Sequence, residues 1–152
     1  MKERRGQFTA SVLFLCVGII LCVPVGSSLA EQEPAQSHPR SWQAPPEAKE
    51  MKNPVPANAD SLSLGKDLYD EHCLMCHGEK GMGDGAMADT LSRPPGNLAD
   101  PQVMEELTDG ELFWRISKGD DLMPSFETEK PLPEEDRWHI INYVRTLANS
   151  AQ

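Results

Sequence analysis

Apolar positions recur with helical spacing in three stretches of this chain. Leu62, Leu64, Leu68, Tyr69 and Cys73 can share one helical face, with Asp60 or Ser61 as the cap. Leu112, Phe113 and Ile116 form a second stripe. Thr108 and Glu111 bracket its start as a capping box, and Gly119 stops it. Ile140, Ile141, Tyr143, Val144 and Leu147 form a third stripe, opened by Pro133 and the acidic run Glu134, Glu135 and Asp136, where the helix dipole favours anions. No segment alternates with the period of a strand. The prediction is an all-α fold with three main helices. A long Gly-, Pro- and Asp-rich loop separates the first two. Three short helices hold little apolar area of their own, and a loop of that length inside a small domain needs something else to fill the core. The pattern asks for a large apolar cofactor.

Two stretches fall outside this pattern. Lys2, Arg4 and Arg5 precede an apolar run from about Val12 to Val25, and Ser28 and Ala30 put small residues before Glu31. Residues 1–30 are therefore expected to be a secretory signal peptide. The alternative is an uncleaved membrane anchor, since Phe8 to Gly26 is just long enough to span a bilayer. Cys16 and Cys22 lie in the run as small hydrophobes. Residues 31–60 carry six prolines, no glycine and few apolar positions. They read as a disordered, proline-stiffened linker. Trp42 is its one aromatic, either docked on the domain or a partner or left exposed. The domain itself is expected over residues 61–150.

The chemistry concentrates at Cys73-Leu74-Met75-Cys76-His77. Two cysteines three apart, followed at once by histidine, form the attachment signature of a c-type haem. Residues i and i+3 at a helix end project to one side. Both thiols can therefore reach the two vinyl groups on one porphyrin edge, and His77 can turn onto the iron. A redox-active dithiol would need a βαβ context, and no strands are predicted. A zinc site would need two more ligands, and beyond the leader only His38, His72 and His139 remain. A disulfide would close a trivial loop. One covalent haem c is the expectation.

The iron has a sixth position. Met75, Met82, Met87, Met104, Met123, His72 and His139 are the candidates. Met75 and His72 adjoin the attachment residues too closely to reach the far face. Met123 follows Gly119-Asp120-Asp121-Leu122, and Pro124 holds its backbone extended. That suits a thioether on a loop over the haem, so Met123 is favoured, with Met82 and Met87 next.

With these residues in view, the chain resembles the class I monohaem cytochromes c, of the small bacterial type related to the haem c subunit of cbb3 oxidases. The resemblance runs through Gly65 to Tyr69, Cys73 to Gly78, Gly81 to Gly85, Leu112 to Gly119, Met123-Pro124 and Tyr143 to Leu147. It implies a cytochrome c fold, with long loops wrapped around one covalently bound haem. It implies thioethers at Cys73 and Cys76 and axial ligation by His77 and Met123. Gly65 and Tyr69 would pack on the last helix near Ile140 and Tyr143. Pro94 or Pro95 would offer a carbonyl to the His77 Nδ1–H, and Trp114, Arg93 and Arg115 are candidates to approach the haem propionates, with Trp114 equally placed as plain core.

Charge narrows the partners. The chain has 24 acidic and 14 basic residues, for a net charge of −10. Without Lys2, Glu3, Arg4 and Arg5 it has 23 acidic and 11 basic, for −12. Such a surface argues against nucleic acid, whose phosphates select Lys and Arg. It suits redox protein partners with a basic docking face, or serves solubility alone. The expected role is periplasmic electron transfer between respiratory complexes by a closed His/Met haem, with no catalytic residues. The alternative is the haem c subunit of a multi-subunit oxidoreductase; an open-site enzyme or gas sensor comes last. A membrane enters only if the leader is retained.

Overall fold

The computed structural model describes residues 42–149. The expected leader and the start of the expected linker lie outside these residues. The elements run α1 (Pro46–Glu50), α2 (Ala59–His72), α3 (Leu74–His77), a 3-10 turn (Ala88–Thr90), α4 (Pro101–Glu106), α5 (Asp109–Lys118) and α6 (Glu134–Asn149). There is no strand among the described residues.

Helices α2 and α6 form the spine. Gly65 lets them meet, because a Cβ there would run into the carbonyl of His139 and the Cβ of Tyr143. Tyr69 and Tyr143 then pack tilted, 5.3 Å between ring centroids. On the other flank of α6, Trp138 stacks on Phe113 of α5 at 4.1 Å and 12°. Trp138, Ile140 and Ile141 are almost fully buried, each contributing about 1.5–3 kcal/mol by leaving water. The three apolar stripes thus become one core, to which α4 adds the buried Met104.

The capping box at α5 forms as expected. Thr108 Oγ1 accepts from the Glu111 amide, and the Glu111 carboxylate accepts from the Thr108 amide. Gly119 closes the helix with φ of 62°. The cap of α2 differs from expectation. Asn58, not Asp60 or Ser61, accepts from the Ser61 amide, so the helix starts earlier. Leu64 also points away from the core and is exposed. Helices α1 and α4 lack an apolar stripe long enough to be read. Each starts with a proline in its first turn, and Asp100 caps α4 through the Gln102 amide.

The larger correction concerns residues 42–58. They are not a loose linker but a strap across α5 and α6. Trp42, Ala44 and Ala48 are buried. The Asn53 amide donates to the carbonyl of Trp138 and to the side chain of Asn142, while its own oxygen accepts from the Val55 amide. Asn142 in turn donates to the Val55 carbonyl and to Ser61 Oγ. Low hydrophobicity misled the reading here, because polar groups matched across α6 do much of the anchoring.

Candidate functional site

The attachment residues sit on a single helical turn. Helix α2 ends as the Cys73 amide donates to the Tyr69 carbonyl, and α3 starts as the His77 amide donates to the Cys73 carbonyl. Gly78, with φ of 80°, ends that turn. The following loop then folds back along it. The amides of Gly83, Gly85 and Met87 donate to the carbonyls of His77, Cys76 and Met75, respectively. Gly85 lies so close that a Cβ would strike the Leu74 and Met75 carbonyls. Tyr69 Oη donates to the Gly78 carbonyl at 2.7 Å, tying the turn to the α2–α6 spine. The glycines of the loop are what allow backbone to lie on backbone here.

Cys73, Cys76 and His77 line an apolar cavity with about 1120 Å³ of space free of protein atoms, part of it open to solvent. Met123 lines the same cavity, with Ile140, Ile141 and Val144 at its floor. Of the other sulfur and imidazole candidates, only Met104 and His72 reach it. Met75, Met82 and Met87 are exposed. His139 is spent elsewhere, its Nδ1 2.8 Å from Ser61 Oγ.

Hydrogen bonding sets the state of His77. Its Nδ1 lies 3.2 Å from the carbonyl oxygen of Gly96. A carbonyl only accepts, so Nδ1 carries the proton and Nε2 keeps a free lone pair. Burial holds the imidazole below its usual pKa, against the opposing effect of the Gly96 bond. The ring therefore favours the neutral form, with Nε2 free to donate its lone pair. The acceptor is neither Pro94 nor Pro95, although both line the cavity. The Pro95 carbonyl is turned against Gly83, and the next carbonyl along the chain meets the histidine.

The Cys73 thiol is not poised for exchange chemistry. Burial, with the neighbouring Cys76, pushes the Cys73 thiol up to about 12. A reactive dithiol needs the opposite shift. Nor does any group of three His, Cys, Asp or Glu suited to a metal ion occur among the described residues.

The Met123 loop is built around Asp120. Its Oδ1 accepts from the amides of Leu122 and Met123, and its own amide donates to the Met123 carbonyl. Burial alone would raise this carboxyl, but those amides and Arg93 hold it low. Arg93 bonds both Asp120 and Asp121. Gly119 begins the loop, and a Cβ there would clash with Met123 and Pro124.

At the cavity edge the residues expected near acidic groups divide. Trp114 does not line the cavity, so that expectation is corrected. Position 114 lies on α5 between Phe113, turned to the core, and Arg115, turned to the cavity. The indole at the cavity is Trp42, from the strap. The Arg115 guanidinium sits 5.0 Å over its ring. Arg115 Nε is buried without a hydrogen-bond partner among the described residues, and burial lowers the pKa of this guanidinium. A buried cationic donor left unpaired is costly; an anionic edge in the cavity would satisfy it. Two thiols, a neutral imidazole, a thioether, apolar walls and this orphaned donor together fit a haem. Of the two alternatives for Trp42, docking on the domain is the one that holds, and its place is the cavity. Gly96 carried no mark in the sequence.

Residues 60–144 match the family model described as cytochrome c oxidase, cbb3-type, subunit III. Among solved structures, the chain is similar to the Kuenenia stuttgartiensis reducing HAO-like protein complex, with 25% identity and a TM-score of 0.52. That match covers 64% of this chain and 49% of the other, so the chain spans about half of that protein's length. No curated protein matches it in sequence.

Proposed function

The chain belongs to the cytochrome c family of cbb3-type oxidase subunit III, and from that premise we propose that it carries one covalent haem c in a closed His/Met site and shuttles electrons between respiratory partners outside the cytoplasmic membrane. The observation that supports this most is that Cys73, Cys76, His77 and Met123 line a single apolar cavity. Cys73 and Cys76 would hold the group by thioethers, His77 Nε2 and the Met123 thioether would supply its ligands, and Arg115 would pair with its carboxylates. When bound, the haem supplies a reversible one-electron couple.

The residues of the chain set how that couple works. The Gly96 carbonyl fixes the tautomer of His77 and raises its basicity. A thioether and apolar walls both favour the reduced state over the more highly charged oxidised one. Ligation by both His77 and Met123 would leave no open position for substrate, which supports the reading as an electron carrier. The region from 61 to 149 has 18 acidic and 8 basic residues. That charge steers it to a basic partner face, more weakly as salt rises. A leader at residues 1–30, cleaved after Ala30 or kept as an anchor, would place the domain in the periplasm.

A second reading, as one subunit of a multi-subunit oxidoreductase, draws on the solved relative, which is itself described as a protein complex. Co-purification of a stable partner separates the two.

The test is a set of visible spectra of purified protein, oxidised and reduced, with and without carbon monoxide. A sulfur-to-iron band in the red when oxidised, and no shift with carbon monoxide when reduced, is the expected result. Rapid carbon monoxide binding would replace the carrier reading with an open-site enzyme or sensor. Absence of haem from cells competent in cytochrome c maturation would overturn the proposal altogether.

A further inference from the structure

The strap and the Met123 loop meet at one bond. Trp42 Nε1 donates to the carbonyl of Gly119 at 2.7 Å, buried, across 77 residues of chain. Gly119 is the hinge at which α5 ends and the Met123 loop begins. Its carbonyl is the point where an outside group can hold that loop against the cavity without touching Met123.

The strap is itself seated firmly on α5. Gly110 brings the helix so close to the strap that a Cβ there would collide with the Ala48 carbonyl oxygen. Lys49 pairs with Glu111 at 3.1 Å. The Trp42 ring lies beneath Arg115, one turn before the end of the same helix. Held at α5 and at Asn53, the segment has little freedom to withdraw its indole. Within the loop, the Asp120 carboxylate orders the backbone at Leu122 and Met123 and is itself held by Arg93. Trp42 holds the start of the loop at the Gly119 carbonyl.

We infer that residues 42–51 act as a clamp on the Met123 loop, with Trp42 as the positioning residue that keeps residues 119–124 closed over the cavity. The role of Met123 as ligand belongs to the function proposed above; the clamp is a claim about the loop and can be tested apart from it.

The experiment is amide hydrogen exchange on the full haem-loaded chain, comparing wild type with Trp42→Phe and Gly110→Ala. The first keeps a ring but removes the donor. The second leaves Trp42 intact and lifts the strap from α5 through the Ala48 clash. Exchange of residues 119–124 is expected to rise about tenfold or more in both variants, with α2 and α6 unchanged. Carbon monoxide binding to the reduced protein should speed up by a similar factor. Exchange at 119–124 within twofold of wild type in both variants would overturn the clamp. So would a uniform rise across α2 and α6, which would mean general loss of stability. If wild type binds carbon monoxide as fast as the variants while the loop still loosens, Met123 is not the ligand and the clamp stands.

Discussion

The attachment turn at residues 73–77 and the strap at residues 42–58 border the same cavity by opposite means. The turn is local. Its two cysteines and its histidine fall within five residues, most of its backbone hydrogen bonds join residues within ten positions, and short-range helical geometry places both sulfurs and the imidazole. The strap is non-local. Its anchors reach residues about 62 to 89 positions away, and its own turn of helix would be marginal alone. One region carries the chemistry and the other covers it. Chemistry that needs rare residues at fixed spacing leaves a mark in sequence; a cover that needs only a fit does not.

The largest expected effect tests the local half. Cys73→Ser with Cys76→Ser removes both thiols, and no haem should stay with the chain after denaturing electrophoresis, read by haem staining. Haem retained through denaturation would break the assignment of the turn. A middle-sized effect tests the strap. Asn53→Ala deletes donors to Trp138 and Asn142 and the acceptor for Val55. It should cost about 1–3 kcal/mol in urea unfolding, because the partners left behind are part-buried. A loss under about 0.3 kcal/mol would mean the strap adds little to the fold.

The smallest effect sharpens the contact between strap and α5. Burial alone would raise the Glu111 carboxyl, but the Thr108 amide and Lys49 pull it below its ordinary value of 4.5. A carboxyl lowered in the folded state stabilises fully above its unfolded pKa, and that stabilisation is lost as pH falls through the folded pKa. Glu111→Gln should therefore destabilise at pH 7 and approach wild type on acidification below about pH 4. The difference should stay below about 1 kcal/mol, since Lys49 is half exposed. Thermal unfolding of both proteins from pH 3 to 7 measures it.

Much of the fold was legible. The stripes of α2, α5 and α6, the Thr108–Glu111 box, the Gly119 stop and the Cys73–His77 motif each express a rule that acts over a few residues. The close approach of Gly65 to α6 was implied by family resemblance, and the structure shows it. Helix α1 was illegible because five residues with one buried alanine carry no period. The acceptor for His77 was legible to within one residue and then missed, since which of three successive carbonyls faces the ring depends on how the loop lies against Gly83.

By itself the sequence determined the three main helices, the capping box and stop of α5 and the Cys73–His77 motif, because periodicity, capping and thiol spacing act through bonds and turns close along the chain. Tertiary structure alone decided that Gly96 and not a proline turns to His77. It also put Trp42 and not Trp114 at the cavity, and laid a proline-rich segment down as a strap. Those outcomes rest on surfaces and polar groups matched across many residues of separation, which only the packed molecule brings within reach of one another.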